Sequence, residues 1–440
     1  MIDAASIAPG PSRPQRRGRL LDRPADASRS DLTGGNVRGM PAIAGRSLVL
    51  IWVACAPASV TAWILYSRLF RHAPASDFMV FHTAARAVLE GNLPLLFDGQ
   101  AFTAQMTARF AGLLDVPLAL LPWVYPPLFL LIMTPFGLLP FAAACAGFLL
   151  TGFAALAAAL RLFVRSKAEW AMGLGILLIS PPAAFTVAVG QNAFLTTALM
   201  LGGFGLMRRA PVWAGVLLGV LTFKPQLWLL VPVALIAARE WRVFAAAAIT
   251  ASGFSLLSLA AFGIDPWLRW LSLVAGQDPH FQAWVMAGRM YGQSMFTEAA
   301  MLGASPSLAS LVQDVSSVAA AAIVWVAFRR DALPADLKVA VLLAATLIAA
   351  PHVSNYDALM LIVAGLLLLL RSLREGFLAG ELIVLIVTFG IELVDPPKVM
   401  QAGLLTPLVI AALIIALFRR GMTSLPEAAG GAYPVRPGVR

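Results

Sequence analysis

Two cysteines, four histidines and 12% charged residues are what this 440-residue chain has least of. Cys55 and Cys145 both fall inside apolar runs, so they read as packing residues, and no metal-ligand cysteine pattern exists. Of the histidines His72, His82, His280 and His352, the first two stand ten residues apart, a poor spacing for one metal ion. No Walker loop, zinc signature or G-x-S-x-G nucleophile motif occurs. The scarcity of charge excludes a soluble domain of this length. What is abundant is apolar: 60% of the residues are hydrophobic, in runs that recur along the chain, which describes an all-α polytopic membrane protein. A net charge of +10 would suggest nucleic acid in a soluble protein. Here basic residues hold loops on the cytoplasmic side, and no nucleic-acid partner is expected.

Residues 1–46 carry eight arginines among Pro, Gly and Ser and read as a disordered cytoplasmic tail. The run 47–67 is too long for a signal-peptide core and is expected to stay as an uncleaved first span. The stretch YPPLFLLIMTPFGLLP, 125–140, poses the topological question. At about 1.5 Å per residue it reaches roughly 24 Å, short of a hydrocarbon core of about 30 Å, and its four prolines interrupt backbone bonding. If it dips into the outer face and returns, about twelve spans follow, and inner segments hold 24 Lys and Arg against 8 outside. If it crosses, the split becomes 12 inside and 20 outside. The positive-inside rule selects the first arrangement. Both termini are then cytoplasmic, 47–418 is the membrane domain, 419–440 a C-terminal tail, and 68–140 and 263–306 are long outer loops of functional length.

Polar residues sit at unusual depth. Fourteen residues separate Arg209 from Lys224 and fourteen separate Lys224 from Arg239, about 21 Å of helix each. Lys338 and Pro351 bracket only twelve, about 18 Å. The turns FKPQ and PHVSNYD, with Lys224, His352 and Asp357, are therefore expected below the outer surface, in a wet pocket open to the outer leaflet. The alternative is a locally thinned bilayer with Lys224 snorkelling. A cation there needs an anion, either a lipid phosphate or a loop carboxylate. Gln191 and Asn192 of VGQNAF fall at another outer turn, where amides can bind sugar hydroxyls or cap the helix starting near Ala193.

The segment SDFMVFHTAARAVLEG, 76–91, has apolar residues at helical spacing, Ser76 or Asp77 as an N-cap and Gly91 as a stop. It reads as an amphipathic helix lying on the outer face. A helix N-terminus favours the ionised form of Asp77, which a general base requires; plain capping is the simpler role.

DFMVFHTAARAVLEGN, LFDG, YPPLFLLIMTPFGLLP, GQNAFLTTALM, AGVLLGVLTFKPQLWLLVP and APHVSNYD occur in this order from residue 77 to about 357. In them the chain resembles the bacterial GT-C membrane glycosyltransferases of family 87. The resemblance implies a GT-C-type bundle with interfacial or re-entrant helices in the first outer loop. It implies transfer of a sugar, mannose by analogy, from a polyprenyl-phosphate donor to a lipid or glycan acceptor at the periplasmic face of a bacterial inner membrane. It places the base at Asp77 and the donor phosphate at Lys224 and His352. Arg86, Tyr125, Gln191, Asn192 and Asp357 are the expected substrate contacts. No cofactor is expected, a divalent metal being left open. A transporter or lipid flippase is the alternative. It calls for repeated halves and midplane charges, whereas the chain shows no internal repeat and, Glu392 apart, its acids cluster at span ends. A non-catalytic assembly subunit is a third reading, and it would tolerate loss of both Asp77 and Lys224.

Overall fold

A computed structural model describes residues 59–65, 67–68, 71–277, 292–390 and 405–423. The basic tail, most of the first expected span, His280, Glu392 and residues 424–440 lie outside the described residues, as does the middle of the second outer loop. Residues 44–440 form one unit. Among the described residues the structure is helical, and its one β-bridge joins Gly292 to Ser354.

The first outer loop contributes α1 (Ser76–Leu89), α2 (Gly99–Arg109) and α3 (Leu128–Met133). The chain then runs through α4 (Phe141–Leu160), α5 (Lys167–Ile179), α6 (Pro181–Val189), α7 (Ala193–Leu206) and α8 (Pro211–Val220). Next come α9 (Pro225–Trp228), α10 (Val231–Ala238), α11 (Trp241–Phe262) and α12 (Asp265–Val274). After the undescribed stretch follow α13 (Met295–Met301), α14 (Pro306–Arg329), α15 (Ala335–Ala349), α16 (Leu359–Glu375), α17 (Glu381–Gly390) and α18 (Leu405–Thr423).

Four of these helices, α4, α11, α14 and α18, are long and apolar enough to cross a membrane alone. A fifth span results if α5 and α6 count as one, bent by 60° where Pro181 and Pro182 follow Ser180. Most other runs expected to span form shorter helices. The Tyr125–Pro140 stretch is helical only from Leu128 to Leu138, roughly 16 Å, with a 3-10 turn over Thr134–Leu138. Short helices are tolerable where protein, not lipid, surrounds them. In α16 every residue from Leu359 to Ser372 is buried, and in α15 nearly all from Leu337 to Ala349 are. Both are apolar all round, as central helices must be. By contrast only Val243, Ala247 and Ser258 of the 22 residues in α11 are buried.

α8 and α11 approach backbone to backbone. A Cβ on Gly215 would lie 2.4 Å from Ala246 Cβ, and one on Gly219 would lie 2.5 Å from Thr250 Cβ. This small-xxx-small pairing replaces the hydrophobic driving force that lipid does not supply. It fixes the helix that ends at Lys224.

The 76–91 segment departs from expectation. α1 begins after Ala75, which has a left-handed φ of 55°, and no side chain caps it. Ala75 N–H donates instead to Ala188 O at 2.9 Å, so the end of α6 holds the entry to α1. Nor does α1 lie half exposed. Residues 78–85 are all buried, because α4, α6, α3 and the 134–138 turn pack around it. The helical spacing of Phe78, Phe81 and Ala85 was a real packing signal, but the opposite face is covered too.

At the far end of α16, charged residues lock helices together. Arg371 meets Asp336 at 2.8 Å and Glu375 at 2.6 Å, and Arg374 meets Glu169 at 2.6 Å. Arg420 of α18 pairs with Glu381 of α17, both 3% exposed, and donates to Gly376 O at 2.7 Å.

Candidate active site

Four separate pieces of sequence converge near the start of α16: the first turn of α1, the residues before α3, the α6–α7 turn and the bend between α8 and α9. Each is brought in by a local rule. Phe129 of α3 stacks on Phe223, ring centroids 4.7 Å apart, which clamps the YPP stretch against the residue before Lys224. Tyr125 packs on Phe81, Phe129 and Trp123 with centroids 4.6–5.7 Å apart. Asp357 accepts the Ser354 N–H at 3.2 Å and so closes its own loop, while Gln293 N–H donates to Val353 O at 2.8 Å.

The polar side chains form one continuous chain of hydrogen bonds. Lys224 Nζ donates to Asp357 Oδ1 at 2.5 Å and to Asn192 Oδ1 at 3.3 Å. Asn192 Nδ2 donates to Tyr125 OH at 2.9 Å. Tyr125 OH donates to Gln191 Oε1 at 3.1 Å, and Gln191 Nε2 donates to Asp77 Oδ2 at 2.8 Å. Lys224 Nζ also lies 4.9 Å from the Tyr356 ring, which stacks on Phe185. Lys224 and Asp357 are each 2% exposed. The expected wet pocket is thus closed over the lysine: aromatic and amide side chains fill it, and a loop carboxylate answers the charge.

Burial drives the electrostatics. It pushes the Asp77 carboxyl up to about 6, against the Gln191 hydrogen bond and the Lys224 charge, which pull it down. Burial, then the carboxylates of Asp357 and Asp77, push the Tyr125 phenol well above its ordinary value. It stays a neutral donor. Asp77 therefore titrates in the range useful to a general base, with no cation in contact among the described residues.

Of the expected site residues, Asp77, Tyr125, Gln191, Asn192, Lys224 and Asp357 come together. Asn192 does not cap α7; its side chain reaches Tyr125 and Lys224 instead, because both lie across the turn. Arg86 is not in the cluster. Its guanidinium pairs with Glu90 at 3.1 Å, alongside Arg109. His352 is exposed and makes no hydrogen bond to a described residue. Tyr356 and Gly190 were not singled out by sequence; the left-handed glycine after a helix was the signal for the second. Among the described residues no three His, Cys, Asp or Glu side chains group as metal ligands.

An open groove of about 520 Å³ flanks this cluster, lined by Pro126, Thr222, Ser255, Leu256, Trp267 and Trp270 among others. Pro126 follows Tyr125 and Thr222 stands two residues before Lys224, and Ser255 and Leu256 belong to the sparsely buried α11.

The family model described as glycosyltransferase family 87 matches residues 123–351. The match takes in Tyr125, Gln191, Asn192 and Lys224, begins after Asp77 and ends one residue before His352. No curated protein and no solved structure matches the chain.

Proposed function

The chain belongs to glycosyltransferase family 87, and from that premise we propose that this membrane glycosyltransferase takes its sugar from a polyprenyl-phosphate donor. It delivers the sugar, a hexose such as mannose, to a lipid or glycan acceptor at the extracytoplasmic face of a bacterial inner membrane. The runs then pair as about twelve spans in a GT-C-type bundle with both termini cytoplasmic.

One observation carries the reading. A carboxylate that titrates near 6 and a buried ammonium stand at the two ends of one hydrogen-bond chain. Asp77 accepts the proton of the acceptor hydroxyl as its oxygen attacks the anomeric carbon. The bond from that carbon to the donor phosphate breaks, and its electron pair goes to the phosphate oxygen. Lys224 answers the growing negative charge, which a preorganised cation in a dry site does well. The incoming phosphate takes the place of the Asp357 carboxylate on Lys224, and His352, exposed on the same loop as Asp357, approaches that phosphate. The groove beside Thr222 and Trp270 suits an isoprenoid chain, being apolar, open, and edged by the α11 face.

The test supplies labelled polyprenyl-phosphate hexose to membranes containing the protein. Labelled product is expected, with loss in Asp77→Asn. Undiminished product in Asp77→Asn removes the base from its role, and no product from the unaltered protein removes the donor class.

A further inference from the structure

We infer that Gln191 is a positioning residue for Asp77 and not a substrate contact, and that Gly190 sets it in place. Three of the amide's four hydrogen-bonding positions are already taken. Its Oε1 accepts both from Tyr125 OH at 3.1 Å and from the Asn192 backbone N–H at 2.8 Å, and its Nε2 donates to Asp77 at 2.8 Å. The residue is 3% exposed. A backbone N–H can only donate, so the Asn192 contact fixes which end of the amide is oxygen and forces Nε2 toward the carboxylate. The same logic orders the other links. An ammonium can only donate, so Asn192 presents Oδ1 to Lys224 and Nδ2 to Tyr125, and the phenol is left to donate to Gln191. The chain runs donor to acceptor from Lys224 to Asp77 without an ambiguous member.

The consequence at Asp77 is a division of labour between its oxygens. Oδ2 is held by Gln191, whereas Oδ1 accepts no hydrogen bond from a described residue and is not sealed from solvent. Oδ1 is the oxygen that an incoming hydroxyl meets.

Gly190 makes the contact geometrically available. It ends α6 with φ 72°, turning the chain so that Gln191 N–H donates to Thr186 O at 2.9 Å and the side chain projects at α1. A Cβ there would sit 2.5 Å from Phe78 Cβ, one residue from Asp77. Any side chain at 190 therefore pushes the first turn of α1 off the turn that carries Gln191.

The inference rests on the reading of Asp77 as the base, so its test has a readout that does not need turnover. The charged and titratable groups that act on Asp77 from neighbouring elements are Lys224, Tyr125, Tyr356 and, through Lys224, Asp357. All of them are retained in Gln191→Met, which keeps the volume and removes the donor. The infrared carboxylic-acid band of the purified protein, taken as the difference from Asp77→Asn, is followed against pH. Unaltered protein is expected to titrate near 6, and Gln191→Met upward of that by about one unit, because a hydrogen bond to the charged form is lost. The acid limb of kcat/KM for labelled polyprenyl-phosphate hexose shifts with it, and kcat falls more than KM rises. Gly190→Ala, if it folds, moves the band in the same direction. An unmoved band in Gln191→Met overturns the positioning role even where transfer proceeds. A moved band with no transfer from the lipid-linked donor leaves positioning intact and defeats the proposed function instead.

Discussion

The two ends of α16 bury charge in opposite ways. About 25 Å of helix separates them. At the Glu375 end each arginine meets a carboxylate closely, and Arg371 and Arg420 have more than one anionic or carbonyl acceptor. At the Leu359 end, among the described residues, one lysine meets one carboxylate, and a second carboxylate, Asp77, meets only an amide. A saturated network resists change, since removing one member leaves an uncompensated charge. The unsaturated end keeps a carboxyl whose proton affinity is raised by burial and unrelieved by a contacting cation. That asymmetry is the one the proposed base role of Asp77 calls for, between a fastening and a site that moves a proton.

Substitutions can break the comparison. The largest effect is expected for Asp77→Asn, with transfer falling about 10²- to 10⁴-fold in a labelled-donor assay, the usual worth of a general base. Next is Glu381→Gln, which takes from Arg420 its closest carboxylate and leaves it Glu375 at 3.7 Å and Gly376 O; it is expected to cost about 1.5–3 kcal/mol of stability, read as a lowered melting temperature in detergent, while the folded fraction keeps its turnover. If Glu381→Gln instead abolished turnover in folded protein, the two ends would not differ as described.

A pH effect sharpens the contrast. Asp77 binds its proton more tightly folded, near 6, than unfolded, near 3.8. Its contribution to stability is therefore whole below about pH 4 and is lost as pH rises through 6. Above pH 6 the ionised buried carboxylate weakens the fold by about 3 kcal/mol. Asp77→Asn should therefore melt higher than the unaltered protein at pH 8 and no higher at pH 4. The smallest effect belongs to Arg86→Ala, which breaks a surface pair with Glu90. It is expected to change stability by less than about 1 kcal/mol and turnover by less than a few-fold, both measurable in the same preparations.

Much of this site was readable because motif residues at chain turns have few places to go. The short runs on either side of Lys224 are short helices meeting at a buried bend, and the apolar run 141–160 is the helix Phe141–Leu160 to the residue. Other features were hidden for physical reasons. Apolar periodicity cannot distinguish a helix facing lipid from one facing other helices, since both environments are equally apolar. For that reason the burial of α15, α16 and the outer face of α1 against other helices was not legible in the sequence. The anion for Lys224 was narrowed to phosphate or carboxylate, and Asp357 answers it in this state. The 60° bend at Ser180–Pro182 was not legible in the sequence, where 170–189 reads as one run, although two prolines stand at the break.

The central claim is that Asp77 is an ionisable base poised by burial. Its most direct test is kcat/KM for labelled polyprenyl-phosphate hexose across pH 4 to 9. The account predicts a tenfold rise per unit that levels near pH 6, and a low profile without that limb in Asp77→Asn. A limb that persists unchanged in Asp77→Asn would contradict it.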